Sequence, residues 1–166
     1  MEYPVRKTTR LTTIPYDQPG SYFITVCTAN REKLFWSPAQ PPAESVGADI
    51  IRPQHQLSKI GQVLDQSVQK ISTIYPAVKV DHYMIMPDHI HLLITIEPHG
   101  EVGGRIISAP TKGIPTIVGQ MKRAVTKAVG RPIWQKGYHD HVIRNDRDYQ
   151  EIWKYIETNP YQERES

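Results

Sequence analysis

Met86-Pro87-Asp88-His89-Ile90-His91-Leu92-Leu93-Ile94-Thr95-Ile96 carries the strongest structural pattern in the chain. In a β-strand, successive side chains point to opposite faces of the sheet. One face of this strand therefore carries an unbroken apolar row: Ile90, Leu92, Ile94 and Ile96. His89 and His91 share the other face, where two neutral imidazoles at positions i and i+2 can converge on one divalent metal. The pair is a candidate half of a metal site, although a His-x-His spacing also arises on strands by chance.

The composition limits the classes of protein to consider. The chain has 166 residues, of which 39% are hydrophobic, and this favours one folded domain over residues 1–166. No run of about eighteen apolar residues occurs, so no membrane span is predicted, and no signal peptide is visible after Met1. The lone Cys27 is typical of a reducing cytoplasm rather than of a disulfide framework. A net charge of +3 does not indicate a polyanionic partner, so only local clusters of charge can do so.

The segments before the histidine strand predict a strand, a loop, a helix and a further strand. Residues 21–28 are rich in β-branched and aromatic side chains and predict the first strand. A proline-rich stretch follows, which we interpret as an insertion loop over residues 37–57. Ser58 is the predicted N-cap of a helix that ends at Pro76. Residues 78–86 predict a strand that forms an antiparallel hairpin with the histidine strand and places both histidines near its turn.

The segments after the histidine strand complete an α+β pattern. Glycines predict a flexible loop over residues 98–113, and a helix is expected over residues 115–130. One or two short strands follow, and then a last helix that is capped by Asn145 or Asp146 and ended by Asn159-Pro160. This order of elements is typical of a ferredoxin-like or RRM-like antiparallel sheet with helices on one face. The histidines would then lie on the open face of the sheet.

The predicted last helix has two kinds of face. Its inward stripe is apolar and consists of Tyr149, Ile152, Trp153 and Ile156. Tyr155 lies well off the middle of that stripe, and Asn159 lies one turn beyond it on the same side. Helical geometry thus separates a core tyrosine, Tyr149, from Tyr155, which is able to reach a site. For Asn159 the alternative interpretation is a helix-ending residue before proline.

Four short motifs occur in a fixed order along the chain. They are residues 86–93, Trp134-Gln135-Lys136-Gly137-Tyr138, Asp140-His141-Val142-Ile143-Arg144 and Tyr155-Ile156-Glu157-Thr158-Asn159-Pro160. Together with the first strand, they resemble the single-tyrosine HUH transposases, and in particular the REP-associated tyrosine transposases. The resemblance extends over roughly residues 10–160 and implies an HUH endonuclease architecture. Members of the family vary in the loops 37–57 and 98–113, so the resemblance assigns no role to residues there.

The resemblance implies a role for each site residue. His89 and His91 would be metal ligands, Asn159 would complete the coordination, and Tyr155 would be the nucleophile. The implied cofactor is Mg²⁺ or Mn²⁺, although by softness alone the donor set suits zinc better. Attack by Tyr155 on a phosphodiester would leave a 5′-phosphotyrosyl link and a 3′-hydroxyl. Strand transfer or resealing would then need no ATP.

The expected partner is single-stranded DNA beside a hairpin, such as a REP-like element, and no membrane is expected. The residues predicted to contact this DNA are Arg10, Lys122, Arg123, Lys127, Arg131, Trp134 and Lys136. Each also has an ordinary interpretation as a solvated charge or a packed ring. Both a monomer and a homodimer are compatible with the resemblance, and so are sites built from one chain or from two.

Two other functions fit parts of the pattern. A non-catalytic, RRM-like binder of single-stranded nucleic acid would need neither a metal nor a tyrosine nucleophile. A metal-dependent hydrolase that uses water would recruit His139 or His141, which repeat the His-x-His spacing, and would form no covalent intermediate. The conjunction of the histidine pair with Tyr155 and Asn159 favours the transposase.

Overall fold

The structure, a computed structural model, describes residues 18–38, 56–98, 100–102, 105–107 and 113–162, and within these ranges it describes the side chains outside 100–107 and 159–162. The strands are β1 (Gly20–Cys27), β2 (Val78–Ile85), β3 (His89–Ile96), β4 (Gly100–Val102), β5 (Arg105–Ile107) and β6 (His139–Val142). The helices are α1 (Lys59–Gln69), α2 (Ile71–Ile74), α3 (Gly113–Val129) and α4 (Asp146–Gln162). In the described part of the chain, no helix has the length and apolar character that a membrane span requires.

The main sheet is antiparallel, with four strands in the order β2-β3-β1-β6. The succession β1-α1-β2-β3-α3-β6 is the βαββαβ order of the ferredoxin-like fold, which confirms the predicted α+β class. β3 is an inner strand and pairs with β1 so that Thr25 lies opposite His91 and Cys27 lies opposite His89. Its other neighbour is β2, as predicted, and the hairpin turn between them precedes His89 directly.

The main core lies between the sheet and the helices α1 and α3. The apolar row of β3 is buried in it as predicted: Ile90, Leu92, Ile94 and Ile96. Helix α1 begins at the predicted N-cap, where the Ser58 hydroxyl accepts a hydrogen bond from the backbone N–H of Gly61. A Cβ atom on Gly61 would overlap the carbonyl oxygen of Phe35, so only glycine allows α1 to approach so closely.

Helix α4 packs on the opposite face of the sheet, which the sequence analysis expected to be open. A second apolar cluster joins this face to the helix and consists of Phe23, Leu93, Ile152 and Ile156, each at most 8% exposed. The expectation was wrong because Phe23 and Leu93 give the histidine face its own apolar area, which the stripe of α4 removes from water. The histidine pair therefore lies in a covered site and not on an exposed sheet surface.

Two predicted boundaries also differ. Helix α4 continues to Gln162, although the sequence predicted its end at Asn159-Pro160. A proline removes one helical hydrogen bond and its ring crowds the carbonyl oxygen four residues earlier, but it does not prevent the backbone from continuing in helical geometry, as α4 does for two residues beyond Pro160. In the predicted loop 98–113, residues 100–102 and 105–107 pair as an antiparallel ribbon. Strands of three residues are too short for a hydrophobic period to reveal them.

The proline-rich loop predicted over residues 37–57 lies mostly outside the described residues. Its two ends are joined, because the backbone N–H of Ser37 donates to the carbonyl oxygen of Gln56 at 2.8 Å. Trp36 and Leu57 form an antiparallel bridge next to this bond. The loop therefore leaves the fold and returns to it at one place, which explains how a long insertion fits between β1 and α1.

Candidate active site

The centre of the site is the histidine pair at the start of β3. His89 and His91 are 6% and 4% exposed, and their Nε2 atoms are 3.2 Å apart. The strand fixes both backbones, and the hairpin turn before His89 places the pair at the end of the sheet. The structure therefore confirms that the two rings share a face and converge on one point.

The ring of His91 is held from the neighbouring strand. Its Nδ1 atom lies 2.9 Å from the Thr25 hydroxyl on β1. Burial, together with smaller contributions from the nearby His89 and Arg31, lowers the pKa of His91 to about 3. His91 is consequently a neutral imidazole at physiological pH, which is the form that binds metals.

The ring of His89 is held from the turn. Its Nδ1 atom lies 2.6 Å from a carboxylate oxygen of Asp88, and Arg31 donates from Nε to the other carboxylate oxygen at 2.9 Å. Sequence reasoning missed Thr25, Asp88 and Arg31 as parts of the site. The spacing of Asp88 next to His89 was visible, but only the sheet register brings Thr25 and Arg31 to the histidines.

Tyr155 reaches the histidine pair from helix α4. Its ring centroid is 5.4 Å from that of His91 and 6.1 Å from that of Phe23, in edge-to-face arrangements. Ile152 and Ile156, one turn apart on the same helix, are buried against the sheet and fix the position of α4. The structure thus brings together three of the four predicted catalytic and metal-binding residues.

The second tyrosine of α4 within the described side chains, Tyr149, has a different environment. It is half-buried near the start of the helix and forms a hydrogen bond with Asp81 of β2. Burial, this hydrogen bond and the negative charge of Asp81 raise the pKa of Tyr149 to about 12. Tyr149 is therefore a helix-docking residue, as the sequence predicted, and remains a neutral phenol.

Asn159, the predicted third ligand, lies in α4 one turn after Tyr155. Its side chain lies outside the described ones, so its role stays a prediction. In the described residues, no group of three or more His, Cys, Asp or Glu side chains could hold a metal.

The histidine pair fits a single metal ion. Two ligands about 2.0–2.1 Å from one ion, at angles between 90° and 109°, are themselves about 2.8–3.4 Å apart. The 3.2 Å separation of the two Nε2 atoms falls in this range. The outer Nδ1 atoms of both rings face protein groups, so the two Nε2 atoms are the ring nitrogens that face each other.

The competing pair, His139 and His141, lies on β6 and is exposed. Strand β1 separates β6 from β3, so the two histidine strands are about 10 Å apart. The Nε2 atom of His141 is 2.8 Å from a carboxylate oxygen of Asp148. The structure therefore does not bring these histidines into the ligand set that a water-using hydrolase would need.

The predicted DNA-binding residues mostly surround a groove of about 510 Å³ at the surface of α3. It is lined by Lys122, Arg123, Thr126, Lys127, Trp134 and Gln135. The ammonium group of Lys122 donates to the carbonyl oxygens of Gln135 and Gly137, both at 2.8 Å, and burial lowers the Lys122 pKa. Trp134 donates from its indole N–H to the carbonyl oxygen of Lys122. These two side chains hold the groove together, whereas Arg123 and Lys127 are exposed.

The remaining predicted contacts are spread around this groove. Arg131 forms an exposed ion pair with Glu32, with a closest distance of 2.9 Å, and Lys136 is exposed. Arg10 lies outside the described residues. The groove adjoins the histidine end of the sheet, because the backbone N–H of Gln135 donates to the carbonyl oxygen of Cys27, the strand partner of His89.

Comparison with known proteins agrees with this geometry. A family described as "Transposase IS200 like" matches residues 46–159. An uncharacterized protein of Haemophilus influenzae is 33% identical over 172 residues, which cover 93% of this chain and 88% of that protein. The REP-associated tyrosine transposase of Escherichia coli is 24% identical over 146 residues, covering 87% of this chain and 68% of that protein.

A solved structure shares the fold. It is the structure of a REP-associated tyrosine transposase bound to a REP hairpin. It superimposes on this chain with a TM-score of 0.62, and the two sequences are 21% identical. The superposition covers 95% of this chain and 74% of that chain. The family match over residues 46–159 confirms the resemblance seen in the sequence motifs, and the shared structure confirms the fold class.

Proposed function

We propose that this chain, which belongs to the IS200-like transposase family, is a metal-dependent endonuclease and strand transferase that acts on single-stranded DNA. The observation that carries the proposal is the meeting of two buried histidines with Tyr155. The two Nε2 atoms are 3.2 Å apart, and the Tyr155 ring lies beside that of His91. A nucleophile next to a candidate metal site is the arrangement that phosphodiester cleavage requires.

The proposed cofactor is a divalent ion, Mg²⁺ or Mn²⁺, held by His89, His91 and Asn159. When bound, it would polarise the scissile phosphate and offset the negative charge that develops there. The low pKa of His91 supports this role, because the ring stays neutral and available as a ligand at physiological pH.

Tyr155 is the proposed nucleophile. Its phenolic oxygen forms a bond to phosphorus and gives its proton to solvent, while the bond from phosphorus to the 3′ oxygen breaks and that oxygen gains a proton. The products are a 5′-phosphotyrosyl link and a 3′-hydroxyl. A phenol has an ordinary pKa near 10, so the reaction needs the deprotonated oxygen to be stabilised within the site. A 3′-hydroxyl can reverse the step and join a new strand without ATP.

The proposed substrate is a single strand next to a hairpin. A relative of the same fold carries a REP hairpin in its solved structure, and the exposed cations of the groove, Arg123 and Lys127, are suited to phosphate contacts. The groove adjoins the strand that pairs with His89, which supports a DNA path from the groove to the site. Tyr155 lies beside a histidine of its own chain, which supports a site assembled within one subunit of a monomer or a homodimer.

The test is covalent trapping. The protein is incubated with labelled hairpin oligonucleotides that carry single-stranded flanks, with Mg²⁺, Mn²⁺ or EDTA, and the products are separated on a denaturing gel. We expect a metal-dependent protein–DNA band that is absent from Tyr155→Phe and His89→Ala. Tyr149→Phe is the matched control, because it removes the other described phenol of α4 and should retain the band.

The other outcomes separate the alternative functions. Cleavage without a covalent band that persists in Tyr155→Phe would contradict the proposal and favour a hydrolase that uses water. Binding without cleavage across a panel of hairpins with both metals would favour a non-catalytic binding protein.

A further inference from the structure

Both histidines of the pair are held at their Nδ1 atoms, His89 by Asp88 and His91 by Thr25. The proposed function assigns no role to Asp88 or Thr25. On the basis of the proposed function, we infer that Asp88 and Thr25 are positioning residues that turn the Nε2 atoms of His89 and His91 toward one cation. Arg31 in turn holds Asp88. Groups of this kind, outside the ligands themselves, set the orientation and proton position of metal-binding histidines.

The contact of Asp88 decides the proton position of His89. A carboxylate only accepts hydrogen bonds, so the 2.6 Å contact with Nδ1 of His89 requires the proton to be on Nδ1. The lone pair of His89 then lies on Nε2, the atom that is 3.2 Å from Nε2 of His91. Without the carboxylate, the ring could place its proton on Nε2 and lose its capacity to bind a metal.

Asp88 is itself held from two sides. The guanidinium of Arg31 donates from Nε to one carboxylate oxygen at 2.9 Å and from Nη1 to the sulfur of Cys27 at 3.0 Å. Arg31 reaches this position from a short turn in which its φ is +53° and that of Asn30 is +54°. Such backbone angles are costly for side chains other than glycine and are often found where function requires them. The backbone of Asp88 is bound as well, since its carbonyl oxygen accepts from the N–H and the hydroxyl of Thr28.

Thr25 acts on the other ring by a different means. It lies directly opposite His91 in the β1–β3 register, and its hydroxyl is 2.9 Å from Nδ1 of His91. A hydroxyl can donate or accept, so Thr25 fixes the rotation of the ring while the proton position remains adjustable. Asp88 thus prepares one ligand fully, and Thr25 orients the second.

The test measures metal affinity directly on the full chain, without DNA. Mn²⁺ is titrated calorimetrically into the wild type and into Asp88→Asn, Thr25→Val and Thr25→Ser. We expect Asp88→Asn and Thr25→Val to weaken Mn²⁺ binding about 10- to 100-fold, as is usual for such groups. Thr25→Ser keeps the hydroxyl and should restore near wild-type affinity, which a purely structural role of Thr25 would not predict.

The matched control is Asp148→Asn. Asp148 forms another aspartate–histidine pair of this chain, an exposed contact with His141 at 2.8 Å. Removing its carboxylate should leave Mn²⁺ affinity unchanged. Thermal unfolding of each variant identifies any that has lost its fold. A second readout, the ¹⁵N NMR shifts of His89 in EDTA, should show the proton on Nδ1 in the wild type and a mixture of both forms in Asp88→Asn.

The outcomes distinguish this inference from the proposed function. Equal Mn²⁺ affinity in the wild type, Asp88→Asn and Thr25→Val would overturn the inference and leave the proposed function intact. A wild type that binds Mn²⁺, depends on Asp88 for it and yet forms no covalent DNA product would support the inference and contradict the proposed function. A wild type that binds no Mn²⁺, or that carries its His89 proton on Nε2, would overturn the inference.

Discussion

Helix α4 carries the proposed nucleophile, and its docking can be weakened without touching any site residue. Ile152 is 1% exposed and belongs to the small cluster that joins α4 to the sheet. Ile152→Ala removes three carbons from that cluster. At about 0.8 kcal/mol per buried carbon the transfer term is about 2.4 kcal/mol, and the cavity raises the total to roughly 3–5 kcal/mol. The population of undocked α4 should therefore rise roughly 150- to 5,000-fold.

The matched comparison is Ile117→Ala. Ile117 has the same side chain and is also 1% exposed, but it lies in α3 and in the main core on the other face of the sheet. Hydrogen exchange followed by mass spectrometry reports on α4 and β3 separately, and the covalent DNA product is measured well below the unfolding temperature. Ile152→Ala should speed exchange in α4 selectively and lower the yield of product. Ile117→Ala should lower global stability and retain the yield.

The proposed docking role of the second cluster would be contradicted if the two variants behaved alike. Equal exchange of α4 and equal product yield in Ile152→Ala and Ile117→Ala would mean that the second cluster does not control the position of Tyr155. Faster exchange of α4 with an unchanged yield would mean that Tyr155 acts without the docked helix.

Three further predictions concern packing, DNA binding and pH. Gly61→Ala should destabilise the fold severely, because the new Cβ would overlap the Phe35 carbonyl oxygen, and urea unfolding measures the loss. Lys127→Ala should weaken DNA binding uniformly across sequences and reduce the salt dependence by roughly one phosphate contact, whereas Lys122→Met should mainly lower stability. Burial lowers the pKa of both His82 and His91, so below their ordinary pKa the unfolded chain takes up protons that the folded chain resists; the free energy of unfolding should fall as pH decreases below about 6.5, and less steeply in His82→Phe.

Each of these predictions has a control. Gly119→Ala adds the same methyl group within α3 where no atom lies within 4 Å, so it should be neutral or stabilising, and equal losses at both glycines would contradict the packing argument. Salt titrations in which Lys122→Met changes the slope as much as Lys127→Ala would show that both lysines bind phosphate. His82→Phe preserves an aromatic ring for stacking on Trp153 and removes the proton site. An unchanged pH dependence in that variant would exclude His82 as a contributor.

The sequence predicted most of the sheet because the strand signals are strong. The alternation of β3, the N-cap Ser58 and the hairpin were all readable from local rules, and the structure confirms them. The meeting of His91 with Tyr155 was also predicted, from strand and helix periods together with the family motifs. The alternation, the N-cap and the hairpin are predictable because each depends on residues that are close together in the sequence.

The sequence-based predictions failed where the structure depends on contacts between residues that are far apart in the sequence. Phe23 and Leu93 give the histidine face an apolar area, but only the complete fold shows that α4 covers it. The supports of the histidines, Thr25 and Arg31, come from β1 and the turn after it, more than fifty residues away from the pair in sequence. No spacing rule relates residues across such a distance, so a single sequence does not reveal them.

Whether Tyr155 is the nucleophile is tested most directly by identifying the residue that carries the DNA. The covalent product, formed with Mn²⁺ and trimmed with nuclease, is digested with trypsin and analysed by tandem mass spectrometry. Trypsin separates Tyr149, in the peptide 148–154, from Tyr155, in the peptide 155–164, and fragmentation distinguishes Tyr155 from Tyr161. We expect a nucleotide on Tyr155. A nucleotide on Tyr149 or Tyr161, or cleaved DNA with no modified tyrosine, would contradict this expectation.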